Sequence, residues 1–172
     1  MNRIVIVGSG GSGKSTLAAQ MGLALGLEVT HLDSVFWKPG WVRISATEQE
    51  TVVSKILGRS KWIIDGDHLR TQPARFRAAD TIIFLDFPRW LCLWRTVTRF
   101  FVYRGRSRTG MAADCPERLN WALLRWVWRY SLDNRRQVLE NIGRYGGYCQ
   151  VVTLRSPKEV RQFLGTLPGR TC

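Results

Sequence analysis

Short, almost wholly apolar runs alternate along this chain with longer stretches in which apolar residues recur every three or four positions. The first pattern reads as buried strand and the second as amphipathic helix. Strands are predicted at residues 3–7, 28–31, 61–65, 81–86 and 149–154. Helices are predicted at 14–25, 46–57, 73–78, 88–103, 116–142 and 157–164. Pro88, Pro116 and Pro157 stand where those helices should begin, because a fixed φ suits the first turn. Ser45 followed by Glu48 spells a capping box, and Ser156 is placed to cap the last helix. Strands that alternate with helices and are apolar on both sides imply a parallel sheet covered on both faces. The expected fold is therefore three-layer α/β/α with a five-stranded parallel sheet. At 172 residues, with no internal repeat and no low-complexity linker, the expectation is a single domain over 1–172 with a lid-like insertion at about 104–116.

Candidate chemistry begins between the first strand and the first helix. Gly8, Ser9, Gly10, Gly11, Ser12, Gly13, Lys14 and Ser15 follow Ile4-Val5-Ile6-Val7 and lead into Thr16 and the helix. A polyphosphate needs many donors converging on it, and glycines let backbone N–H groups close around the anion with positive φ. The helix N-terminus adds unpaired N–H groups and partial positive charge. Lys14 is expected to reach the β and γ phosphates, Ser15 to ligate Mg²⁺, and Thr16 to face the α-phosphate side. The same letters, Gly8-x-Gly10-x-x-Gly13, also satisfy the dinucleotide fingerprint, with Asp33 near the position of its acidic residue. Lys14-Ser15-Thr16 favours the mononucleotide P-loop.

In such a sheet, ligands sit outside the carboxyl ends of the strands, and these ends are acidic here. Asp65, after Trp62-Ile63-Ile64, is the first choice for the carboxylate that holds the metal. Asp86, after Ile82-Ile83-Phe84-Leu85, is the alternative. An ordinary strand-end cap would explain either. Asp33, at the end of the second strand, faces the phosphate acceptor and suits proton acceptance from an attacking hydroxyl. Trp37 and Trp41 either stack on a base or sugar or cover the sheet edge. His31 and His68 show no ligand spacing and read as structural or solvent-facing.

Charge adds a second theme: Lys+Arg is 26 against Asp+Glu 13, a formal +13. Between Phe87 and Arg136 every basic residue is arginine, whose guanidinium matches phosphate oxygens. An arginine-rich genome with a solvated face is the plainer account. Arg104, Arg106 and Arg108 punctuate a glycine-containing loop between two long helices, which reads as a lid. In the next helix, Arg118, Arg125, Arg129 and Arg136 fall on one stripe, and stripe and lid are expected to close over transferring phosphates. Cys92, Cys115, Cys149 and Cys172 form no C-x-x-C pair, which suits reduced thiols in a cytoplasmic protein. The apolar amino-terminal run is too short for a signal core or a membrane span, and no membrane partner is expected.

Taken together, Gly8 to Thr16, His31-Leu32-Asp33-Ser34-Val35-Phe36-Trp37 with Lys38-Pro39-Gly40-Trp41, Trp62-Ile63-Ile64-Asp65-Gly66, and the arginine loop before Cys115-Pro116-Glu117-Arg118 resemble the topology modulation proteins. Those proteins are similar in turn to adenylate and shikimate kinases. The resemblance spans nearly the whole chain and implies a P-loop NTPase fold of adenylate kinase type with a short arginine-rich lid. It also implies ATP and Mg²⁺ binding at Gly8 to Thr16, the metal-side acid at Asp65, and the arginine lid. Family members often carry Asp-Gly-Asn-Tyr after the third strand. Here the residues are Asp65-Gly66-Asp67-His68, a departure that bears on the acceptor. Two functions are expected from this reading. The first is Mg²⁺-dependent transfer of the ATP γ-phosphoryl to a small-molecule or nucleotide acceptor, with Lys14, Asp33, Arg106, Arg108, Arg125 and Arg129 in the chemistry. The alternative is a nucleotide-dependent DNA-binding protein that affects DNA topology.

Overall fold

The computed structural model describes residues 1–103, 114–116 and 119–168. Five strands form one parallel sheet: β1 (Arg3–Gly8), β2 (Val29–His31), β5 (Trp62–Asp65), β6 (Thr81–Leu85) and β7 (Gln150–Leu154), in the order β2-β5-β1-β6-β7. Strand β1 lies at the centre, with Val5 opposite Ile64 on one side and Ile82 on the other. Its apolar residues face alternately to the two sides, as a period of two requires. Ile4 and Ile6 pack with Leu17, Ala18 and Met21 of α1 (Lys14–Leu25) and Leu164 of α7 (Pro157–Gly165). Val5 and Val7 pack on the other side with Val53 and Ile56 of α3 (Ala46–Leu57), Phe76 of α4 (Gln72–Ala78) and Val138 of α6 (Trp121–Tyr145). The three-layer α/β/α arrangement is that expected from the alternation of runs.

Side-chain caps set the starts of α3, α6 and α7. The Ser45 Oγ accepts from the Glu48 N–H at 3.2 Å, and the Glu48 carboxylate accepts from the Ser45 N–H at 2.7 Å, closing the expected capping box. Those bonds hold the Glu48 carboxyl below its ordinary pKa, the Ser45 backbone contributing most. Ser156 caps α7 in the same way, accepting from the Glu159 N–H at 3.2 Å. Two proline assignments shift. Pro88 caps α5 (Arg89–Val102) from outside. Pro116 lies well before α6, whose cap is Asn120, its side chain accepting from the Leu123 N–H at 2.7 Å. An amide oxygen can satisfy an orphan donor of the first turn, and proline has no such group.

The segment between β2 and α3 holds elements that periodicity did not indicate. Leu32 and Phe36 bury the inner side of a single-turn helix, α2 (Leu32–Phe36). A two-stranded hairpin follows, β3 (Trp37–Lys38) with β4 (Val42–Arg43), turning through Pro39-Gly40-Trp41. Such short pieces carry too few residues to show a period.

Replacing Ser45 by alanine is expected to lower unfolding free energy by about 1 kcal/mol. Urea titration with an unchanged m-value checks this, since only the cap is removed.

Candidate active site

The loop after β1 lies in close contact with neighbouring backbone. Gly11 has φ +77°, and a Cβ there would stand 2.2 Å from the Cys92 carbonyl oxygen and 2.6 Å from the Thr96 Oγ1. At Gly8 (φ +147°) a Cβ would meet the Leu85 carbonyl oxygen at 2.6 Å. Gly10 rests on Trp126 and Val127 of α6, and Gly13 (φ +93°) opens α1. The loop is thus seated on β6, α5 and α6, with no room for a Cβ at Gly8 or Gly11. The Lys14 Nζ donates to the carbonyl oxygens of Gly8 and Ser9, each at 2.9 Å, which places the ammonium over the loop. The Ser12 hydroxyl is buried with no hydrogen-bond partner among the described residues. Amides at a helix start, an ammonium and an orphaned hydroxyl form a donor set that fits a polyphosphate.

Beside the loop, the Ser15 Oγ donates to the Asp65 Oδ2 at 2.8 Å. Asp65 ends β5 and is 3% exposed, and its other oxygen contacts the His31 Nδ1. A hydroxyl and a carboxylate side by side are hard oxygen donors of the kind Mg²⁺ takes alongside phosphate and water. Asp86 is engaged elsewhere, accepting from the Arg135 Nε at 2.8 Å and a second guanidinium nitrogen at 2.9 Å. Among the described residues no group of three or more His, Cys, Asp or Glu side chains forms a separate metal cluster. His31, expected in a structural or solvent-facing role, contacts Asp65 through its Nδ1.

The acceptor side is built on α2 and the loop after β5. The His68 Nε2 lies 3.1 Å from the Asp33 Oδ1. His68 has φ +27° and ψ +72°, an unusual backbone held from beneath by Arg75. Fully buried, Arg75 donates to the carbonyl oxygens of Gly66 at 2.8 Å, Asp67 at 2.7 Å and His68 at 3.2 Å, and to the Thr71 Oγ1 at 3.1 Å. Burial lowers its pKa to about 10, opposed by Asp67 and Asp65. Burial also raises the Asp67 carboxyl, against the pull of Lys14, while its Oδ1 accepts from the Tyr130 hydroxyl at 2.9 Å.

A continuous cleft of about 1600 Å³ runs from the glycine loop to Asp33, Asp67 and His68. Trp37 and Trp41 line it and meet edge to face, centroids 5.5 Å apart, with Arg43 5.8 Å above Trp37. The hairpin that carries them is tied to the segment after residue 113. The Gly40 N–H donates to the Asp114 carbonyl at 3.1 Å and the Trp41 Nε1 to the Pro116 carbonyl at 3.2 Å.

The arginines divide into three groups. Arg106, Arg108 and Arg118 lie outside the described residues. Arg125 and Arg129 do not meet their expected place: they stand roughly 160 to 200° around α6 from buried Val127, at about 100° per residue, and are exposed. Arg129 pairs there with Asp133 at 2.8 Å, and neither arginine lines the cleft. The apolar residues Val127 and Val138 claim the inner face of α6, so a stripe on the opposite side must point outward. Arg95 and Arg99 of α5 line the cleft instead, Arg95 donating to the Ser12 carbonyl at 3.4 Å. Their spacing of four, on the same side of α5 as Cys92 and Thr96, was the available signal.

No protein-family model matches this chain, and no curated protein matches it either. Solved structures do. Shikimate kinase from Acinetobacter baumannii in complex with shikimate aligns with TM-score 0.59 at 18% identity, over 96% of this chain and 89% of that one. Shikimate kinase from Bacteroides thetaiotaomicron gives 0.52 at 14%, over 95% and 94%. A gluconokinase from Sinorhizobium meliloti 1021 gives 0.52 at 15%, over 95% and 91%. At these identities the likeness defines the fold alone, the one shared with these shikimate kinases and the gluconokinase.

Gly11→Ala is expected to cost about 2 to 4 kcal/mol, combining left-handed strain with overpacking against α5. Gly40 has a similar φ of +79° but nothing within 4 Å of a Cβ. Gly40→Ala should therefore cost only about 1 to 2 kcal/mol, and paired denaturation curves compare the two.

Proposed function

We propose that the protein is a Mg²⁺-dependent kinase that transfers the ATP γ-phosphoryl to a hydroxyl of a small-molecule or nucleotide acceptor. One observation carries this reading: the phosphate-type loop and the Asp33–His68 pair open into the same cleft. Backbone amides from Gly8 to Thr16 bind the phosphate chain, and Lys14 turns from its own loop carbonyls to the β and γ phosphates. Ser15 and Asp65 would hold Mg²⁺, which supplies charge neutralisation at the phosphates. Asp33 accepts the proton of the acceptor hydroxyl as its oxygen bonds to the γ phosphorus and the bond to the β-phosphate oxygen breaks. His68 orients Asp33. Arg95 and Arg99, with Arg106 and Arg108 from the lid, offset the charge that builds on the transferring group. Trp37 and Trp41 form a wall against which the acceptor packs.

The resemblance to topology modulation proteins and a cytoplasmic setting belong to the same proposal. DNA binding is the second reading, supported by the exposed arginines of α6.

A screen of purified protein against a metabolite panel, scored by ADP release, tests the kinase reading. Lys14→Ala is expected to abolish turnover and weaken ATP binding. Asp33→Asn should lower kcat by about 10² to 10⁴ with ATP affinity intact. No ADP release with any acceptor, together with no heat on mixing ATP and Mg²⁺, would overturn the proposal.

The two arginine groups give a separate test. Arg99→Ala should slow turnover by about 10², whereas Arg125→Ala should leave it unchanged. The reverse pattern would restore the α6 stripe to the chemistry.

A further inference from the structure

The outward faces of α5 and α6 carry large apolar side chains in the open. On α5, Trp90 and Trp94 are each 64% exposed and Phe101 is 66% exposed. On α6, Trp121 is 81% and Leu132 63% exposed. At about 100° per residue, the three α5 residues lie roughly 140 to 180° from the midline of buried Cys92 and Thr96. Trp121 and Leu132 lie on the outer shoulder of α6, next to Arg125, Arg129 and Arg136. The two helices pack on each other, and the Arg89 guanidinium of α5 sits 4.4 Å above the Trp128 ring of α6. None of these apolar residues lines the cleft. Exposing them costs hydration free energy, and a patch of this kind marks a contact with something else.

Charge narrows the choice. Arg129 and Arg136 pair with Asp133 and Glu140 at 2.8 Å, but both pairs are exposed and weak enough for the guanidinium groups to exchange partners. The chain carries a net +13, so a second copy would bring charge of the same sign to the face. An anionic partner that also accepts indoles and aliphatic side chains fits better. Indole rings settle at the boundary between water and hydrocarbon, and guanidinium groups bind lipid phosphates bidentately. Single-stranded nucleic acid also takes arginine and aromatic rings, but Leu132 offers it no stacking plane.

We propose that the α5–α6 face docks on an anionic phospholipid bilayer, with Trp90, Trp94 and Trp121 in the headgroup layer and Arg125, Arg129 and Arg136 on lipid phosphates. This is attachment to a surface: no helix among the described residues is long and apolar enough to cross a membrane. It revises the expectation that the protein has no membrane partner, and it does not depend on the kinase reading.

Sedimentation of the full-length chain with vesicles tests it, comparing equimolar phosphatidylglycerol and phosphatidylcholine with pure phosphatidylcholine. The expected result is binding to the anionic vesicles that weakens with salt, with tryptophan emission shifting to the blue. The triple variant Trp90→Ser, Trp94→Ser and Trp121→Ser, confirmed folded by circular dichroism, should bind at least tenfold more weakly. Removing one arginine from the face should cost about fivefold. Several results would overturn the proposal: no binding to anionic vesicles, equal binding to pure phosphatidylcholine, or full binding by the triple variant. So would a homodimer that the triple variant dissolves, or displacement of vesicles by a single-stranded oligonucleotide.

Discussion

The rest of the site depends on the close approach of the glycine loop to the start of α5. The backbone at Gly11 lies so near the Cys92 carbonyl that any Cβ would overlap it. That contact fixes the loop's height above the sheet, and with it the direction of its amides. It also brings Arg95 of α5 against the Ser12 carbonyl, so the helix that supports the loop supplies a cation to the same cleft. A side chain at Gly8 or Gly11 would lift the loop and uncouple these groups.

A second constraint works on the acceptor side. The loop from Gly66 to His68 leaves three carbonyl groups that no strand satisfies, and Arg75 meets all of them from within the core. A buried charge is costly, and its desolvation shows in the lowered pKa of that guanidinium. The cost is offset by charge-assisted hydrogen bonds that hold His68 in its unusual conformation beside Asp33. The two loops thus face each other from rigid supports, with Asp65 and Ser15 between them.

Much of this was legible in the residues. The strands and most helices follow from apolar periodicity, because burial on both faces of a parallel sheet leaves runs such as Ile4-Val5-Ile6-Val7 with no polar interruption. Capping at Ser45 and Ser156 followed from local donors and acceptors. Less legible were α2, the Trp37–Arg43 hairpin and the late start of α6, where a few contacts outweigh any pattern. Arg125, Arg129 and Arg136 do form one stripe along α6, but it points away from the cleft. Periodicity gives relative angles around a helix, and only packing shows which angle faces inward.

The succession of strands and helices along the chain, the glycine loop and the acids near strand ends were determined by the sequence alone, since each rests on residues adjacent in the chain or on a repeating pattern. Tertiary structure decided how those acids divide. Asp65 meets Ser15, Asp86 is held by Arg135, and Asp33 is joined by His68, and each partner is distant in sequence. The same holds for the arginines: α6 turns its stripe outward because valines claim the core, and Arg95 and Arg99 of α5 enter the cleft because the helix docks beneath the loop. Which carboxylate or cation serves the site is a question of distance across the fold, and distance is what a one-dimensional pattern does not contain.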